Sequence, residues 1–213
     1  MPTTAASTPP WSPLARLAPP QLPQAGAFPP APSDMRCFEL WDQFDMLPHI
    51  REHSLSVAGV ATHLALGAKA QGLRIDVQLV RASALLHDIA KTYTIRHGGN
   101  HSQLGGAWMQ EILGNPALAM GIIHHVHWPW PVDARVHFLP MAIIYADKRV
   151  MHNRIVTLDE RFEDLYARYG TTDYLRQRLA ESLAQSREIE NALSQTLGTP
   201  LHEDTFDSRG LVE

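Results

Sequence analysis

The sequence predicts an all-α fold: a single helical bundle over residues 35–200, with a Pro-rich extended arm at 1–34 and a short tail at 201–213. Three observations predict it. From Met35 onward, apolar residues recur at spacings of three and four, the period of an amphipathic helix. Gly and Pro interrupt that pattern at helix-length intervals, and no run alternates apolar with polar residues as a half-buried strand would. Before residue 33, by contrast, lie ten of the sixteen prolines. Pro lacks an N–H and fixes φ, so that density excludes regular helix and central strand.

The arm, in stretches such as LAPPQLPQAGAFPPAP, reads as polyproline-II-like. It is either a solvated tail or a segment that packs on its own domain or on a partner subunit. Helices are then expected over 35–45, over 49–71 as far as Gly72, and over 76–90. Further helices are expected over 101–113, stopped by Gly114-Asn115-Pro116, and over 117–126 and 138–152. The last two cover 159–169, up to Gly170, and 173–197, up to Gly198-Thr199-Pro200. The final helix repeats Leu175, Leu179, Leu183 and then Ile189, Leu193, Leu197, a pattern for packing or for a homodimer.

At 213 residues, with 45% hydrophobic and 19% charged, the chain is long enough for one domain with a real core. A net charge of −4 gives no basic footprint for long nucleic acids, though a local positive site can still hold a small anion. Cys37 is the single cysteine, so no intramolecular disulfide forms and a reducing cytoplasm suits the chain. The N-terminal MPTTAASTPPWSPL lacks the basic and apolar regions of a signal peptide. The longest apolar stretches, such as 139–146, fall far short of the ~20 residues a bilayer requires, so no membrane association is expected.

Twelve histidines stand out, eleven of them between His49 and His152. Neutral imidazole is the commonest protein metal ligand. His53 lies inside the apolar stripe Ile50, Val57, Val60, Ala61, Leu64, so it faces inward. Val77, Val80 and Ala84 lead to His87 and Asp88, and Pro140, Ile143 and Ile144 lead to Asp147. An unpartnered carboxylate in a core costs several kcal/mol, comparable with the ~5–15 kcal/mol that holds a whole domain. Two Asp and two His on separate helices, with no equally buried cation in their stripes, are best compensated by a divalent metal. His101 shares a face with Leu104, Gly105 and Trp108, and Gly105-Gly106-Ala107 lets that helix approach a neighbour closely. His125 follows Leu118 and Ile122 on one stripe, with His124 beside it.

Together these residues resemble a known family. His53 in HIREHSLSVAGVA, the pair in ALLHDIAK and the Asp of IIYADKRV match the H…HD…D pattern of the HD superfamily of metal-dependent phosphohydrolases. The match extends to order, helix placement and separation, and covers roughly residues 49–152. It implies that His53, His87, Asp88 and Asp147 bind a first metal ion. Within the superfamily the chain is most similar to the dinuclear subset that includes bacterial diadenosine-tetraphosphate hydrolases. That likeness implies a second ion, held by His101 and by either His125 or His124. The HD-GYP phosphodiesterases are excluded, because Val-His-Trp-Pro-Trp-Pro follows His124-His125 and no GYP does.

What the resemblance implies is hydrolysis of a phosphoester or phosphoanhydride, with a small phosphorylated substrate of nucleotide type. One or two divalent ions per chain, from among Fe, Mn, Co, Ni, Zn and Mg, would serve it. Asp88 would bridge two ions about 3.5–4 Å apart, and a water between them would lose a proton and attack phosphorus. Charge on the phosphoryl oxygens calls for a nearby cation. Lys91, one turn after Asp88, is the first choice and Arg149, just past Asp147, the second. Trp128 and Trp130 are read as cover for the core, and His49 as part of the helix start. Two rival readings remain: a di-iron oxygenase of the same superfamily, which shares the ligand set, and a noncatalytic HD-type signalling scaffold, a class generally stripped of ligands, whereas all the matching positions are occupied here.

Overall fold

The computed structural model describes residues 28–201, so most of the expected arm and nearly all of the tail lie outside the described residues. Among the described residues, nine helices and one small hairpin follow in chain order. α1 (Asp34–Gln43) starts at Ser33, whose hydroxyl accepts from the Arg36 N–H, and α2 (Pro48–Ala70) starts with Pro at its first position. α3 (Val77–Leu86) is capped by Asp76, and α4 (Lys91–His97) follows after a tight turn. α5 (His101–Leu113) and α6 (Pro116–His124) are capped by Asn100 and Asn115. α7 (Phe138–Lys148) leads into the antiparallel pair β1 (Val150–Met151) and β2 (Arg154–Ile155), in which Val150 faces Ile155. α8 (Leu158–Tyr169) opens on a capping box of Thr157 and Glu160, and α9 (Asp173–Leu197) ends at Gly198 in the left-handed region.

α2 and α7 form the centre. Every residue of α7 from Phe138 to Lys148 is buried, which is why its sequence is apolar all round until Asp147. α2 packs against α3, α7 and α9, and α3 packs against α6. α5 and α6 meet closely through Gly106, where a Cβ would stand 2.2 Å from Ile123 Cγ1. At the N-terminal end, Asn115 donates to the Pro29 carbonyl at 2.8 Å and Gln78 to the Pro32 carbonyl at 2.8 Å. The described part of the arm therefore packs on its own domain. At the other end Leu201 is buried in the core. Among the described residues, no helix is long and apolar enough to cross a membrane.

Two expected helices stop short. α3 ends at Leu86 rather than at 90, and His87–Ala90 form a turn closed by short-range bonds from Ile89 N–H to Leu86 O and from Lys91 N–H to Asp88 O. The chain then restarts as α4, in the stretch between the helices expected over 76–90 and 101–113. α7 ends at Lys148 rather than at 152, and the hairpin takes the remaining residues. No Gly or Pro stands at either break, so a reading based on those residues has nothing to detect.

Candidate metal centre

The site grows from three imidazoles held in the same way. His87 Nδ1 donates to the Ala84 carbonyl at 2.7 Å, and His125 Nδ1 to the Ile122 carbonyl at 2.7 Å. His53 Nδ1 donates to the His152 carbonyl at 3.1 Å. A carbonyl only accepts, so in each ring Nδ1 carries the proton and Nε2 offers a lone pair. This is the outer-sphere arrangement that orients metal-binding histidines. The carbonyl serving His53 comes from the hairpin turn, where His152 is left-handed with φ of 59°. A non-Gly residue there carries local strain, which the surrounding structure must impose.

All three Nε2 atoms turn toward two carboxylates. His53 Nε2 lies 2.9 Å from Asp147 Oδ1. His87 Nε2 lies 3.4 Å from Asp88 Oδ2 and 3.8 Å from Asp147 Oδ1. His125 Nε2 is 3.6 Å from Asp88 Oδ1 and 3.1 Å from the Nε2 of His101, which is itself 3.3 Å from Asp88 Oδ1. His87 Nε2 and Asp88 Oδ1 are buried with no hydrogen-bond partner. Each such group costs about 1–3 kcal/mol unless something compensates it. Two sets, His53 with His87 and Asp147, and His87 with Asp88 and His125, bring ligand atoms within 4.8 Å of one another. Lone pairs facing lone pairs at these distances repel unless a positive charge stands between them. The donor set therefore fits divalent metal, and its mixture of imidazole and carboxylate suits Fe, Mn, Co, Ni or Zn.

The electrostatics point the same way. Burial opposes ionisation of Asp88, but the charges of His87 and Lys91 hold its carboxyl well below the usual range. For Asp147 burial is likewise outweighed, by Lys148 and then His53. Burial lowers His125 and pushes His101 down to about 4, so both rings stay neutral and ligating at neutral pH. His87 moves up, because Asp88 and then Asp147 overcome the burial of the ring. An elevated imidazole and an orphaned Nε2 express one demand, for positive charge where the two carboxylates meet. Two lysines meet part of it: Lys91 Nζ lies 2.6 Å from Asp88 Oδ2, and Lys148 Nζ contacts Asp147 Oδ2.

Of the residues singled out from sequence, the structure thus brings together His53, His87, Asp88, Lys91, His101, His125 and Asp147. His124 lies apart. Its ring packs edge-on against Trp128 and Trp130, both at 5.3 Å between centroids, and Trp128 itself is core. The expectation that Arg149 binds substrate is corrected. Arg149 is fully buried and donates to the carbonyls of Val156 and Leu201 and to the Tyr145 hydroxyl. Two positions beyond Asp147 is a rotation of about 200° on a helix, which aims Arg149 away from the centre. Lys148, one position nearer, reaches back to it. A cavity of about 770 Å³ opens over the cluster, and His49, Lys148, Arg161 and Arg168 stand in its wall. Sequence reading missed the roles of these four. Lys148 stands where the local turn at the helix end sets its direction, and the arrival of α8 depends on the hairpin.

A helical domain with a buried His/Asp centre suited to divalent metal is the class that fold and site define. The model for the HD domain matches residues 50–160, and the chain belongs to that family. HD-domain proteins bind divalent metals, and most are metal-dependent phosphohydrolases. An uncharacterized protein of Methanocaldococcus jannaschii is 37% identical over 134 residues, spanning 57% of this chain and 78% of the relative. No solved structure matches the chain.

Proposed function

We propose that the protein hydrolyses a phosphoester or phosphoanhydride bond in a small phosphorylated substrate of nucleotide type. The observation that carries this reading is the pair of orphaned atoms, His87 Nε2 and Asp88 Oδ1, buried beneath a cavity of substrate size. His53, His87, Asp88 and Asp147 would hold one divalent ion, and Asp88 with His101 and His125 a second. Ions held there supply Lewis acidity toward phosphoryl oxygens and lower the pKa of water. Lys91, with its side chain 40% exposed, reaches from Asp88 into the cavity, where its ammonium can bind a phosphoryl oxygen. Burial of Lys91 is outweighed by Asp88, which raises its pKa and keeps that ammonium charged at neutral pH. His152 and Ala84 keep the rings of His53 and His87 oriented through their carbonyls.

The test begins with metal stoichiometry on anaerobically purified protein. It continues with a substrate screen across dinucleoside polyphosphates, cyclic dinucleotides and nucleoside mono- to triphosphates. Phosphate release that disappears together with metal in Asp88→Ala is the expected outcome. Turnover unchanged in Asp88→Ala, or iron-dependent O₂ uptake in place of phosphate release, would overturn the reading.

A further inference from the structure

We propose that Arg161 and Arg168 form a second anion subsite. Through it the protein selects substrates carrying another phosphate beyond the phosphoryl group at the metal centre. The proposal rests on the reading above and names its substrate class: di- or polyphosphates in preference to simple monophosphates.

Arg161, Leu165 and Arg168 stand at i, i+4 and i+7 of α8, a single helix face, and all three line the same cavity as His53, Asp88 and Lys91. The adjoining face is spent on packing, with Leu158 and Phe162 buried, which sets the arginines at the edge of the packed surface. Between the arginines, Asp164 places one carboxylate oxygen 3.2 Å from Arg161 Nη1 and 3.5 Å from Arg168 Nε. One carboxylate thus orients two guanidinium groups and neutralises one. Elsewhere in the wall each cation has its own anion, Lys91 with Asp88 and Lys148 with Asp147. On α8, by contrast, two guanidinium groups share one carboxylate, and the remaining carboxylate of the wall, Glu52, stands on α2.

A second observation separates this pair from an ordinary surface ion network. The Arg161 side chain is only 12% exposed, yet its Nε is buried with no hydrogen-bond partner. A buried N–H left without an acceptor is costly, and the planar guanidinium fork matches the oxygens of a phosphate. Carboxylates at the metal centre repel an anion until ions bind, so α8 supplies attraction for the part of the substrate that the ions do not reach.

The experiment is calorimetric titration of inorganic phosphate and of inorganic pyrophosphate into the metal-loaded full chain. It compares wild type with Arg161→Gln, Arg168→Gln and Asp164→Asn, with metal content measured on each sample after titration. Wild type is expected to favour pyrophosphate by about tenfold or more. Either arginine variant should lose most of that preference while phosphate affinity and metal content stay the same. Asp164→Asn, which loosens both guanidinium groups, should give a smaller loss. An unchanged preference in the arginine variants, or an equal fall for both anions, overturns the subsite while leaving the metal centre standing. A sample that takes up no metal refutes the hydrolase reading, and the subsite then stands only if the arginine-dependent preference persists. Should Arg161→Gln fail to fold, Arg168→Gln decides the matter, since that side chain is 40% exposed.

Discussion

Asp147 and Arg149 stand two residues apart at the end of α7, and each anchors a buried polar cluster, but the clusters close differently. Around Arg149, the guanidinium donates to the carbonyls of Val156 and Leu201, and the Tyr145 hydroxyl donates to Glu190 at 2.7 Å. Those contacts tie the hairpin, α7, α9 and Leu201 into one piece. Around Asp147 and Asp88, His53, Lys148 and Lys91 each take one carboxylate oxygen, but His87 Nε2 and Asp88 Oδ1 are left without a hydrogen bond. Both clusters carry a desolvation cost of several kcal/mol per charge. The first recovers it from protein donors and acceptors, whereas the second leaves it to a ligand. Burial of charge alone therefore does not mark a functional site, whereas imidazole and carboxylate ligand atoms converging within 4.8 Å of one another do.

Removing one member from each cluster should break the molecule in different ways. The largest effect is expected for Asp88→Asn, which keeps the shape but loses a charge that two ions would share. Metal affinity should fall beyond the 10–100-fold that loss of an outer-sphere partner costs, measured by competition with a chelator. The urea midpoint of the metal-free protein should fall only modestly, because the charge lost is that of a pair with Lys91, whose side chain is 40% exposed.

Arg149→Met should do the reverse. It leaves Glu190 without its counter-charge and the Val156 carbonyl without its side-chain donor, and a loss of about 3–5 kcal/mol in unfolding free energy is expected. Metal bound per folded molecule should be unchanged. If Arg149→Met instead lowers metal affinity at constant stability, the contrast between the clusters fails.

A smaller effect concerns acid. A histidine in the unfolded chain protonates near pH 6.5, whereas folded His101 holds out to about 4. Between those values the unfolded state binds the extra proton, so stability rises with pH across this window. The contribution is complete above about pH 6.5 and is lost as the pH falls toward 4. In the metal-free protein this contributes on the order of 1–3 kcal/mol. His101→Gln should flatten the corresponding part of the stability profile, measured by urea midpoints across the window.

The smallest effect is expected at the hairpin. His152→Gly relieves a left-handed backbone while keeping the carbonyl that receives His53, so stability should rise by about 0.5–1 kcal/mol. Metal affinity should hold within about twofold, since the side chain of His152 takes no part in orienting His53.

Much of the fold was legible because its signals are local. The 3.6-residue apolar period marked the helices that α2, α5, α6, α8 and α9 realise, and Asn100, Asn115 and Thr157 cap α5, α6 and α8 through hydrogen bonds to adjacent backbone. Gly106 was readable as a close-approach residue, and it meets Ile123 as α5 crosses α6. The breaks after Leu86 and Lys148 were not readable, because neither is encoded by a helix-stopping residue. Both are imposed where side chains from distant helices converge. The described part of the arm likewise shows its role only through Gln78 and Asn115, partners far along the chain.

By itself the sequence determined that apolar stripes carry His53, His87, Asp88 and Asp147 inward, since helical rotation of 100° per residue suffices to place them. It also determined that such groups need a counter-charge, because desolvation of a carboxylate does not depend on the details of the fold. Only the tertiary structure decided that His125 rather than His124, and Lys148 rather than Arg149, faces the centre. Neighbouring residues at a helix end differ by an angle that the local turn sets. It alone also brought α8 with Arg161 and Arg168 over the cavity, since the distance between remote segments is a property of packing and is carried by no local pattern.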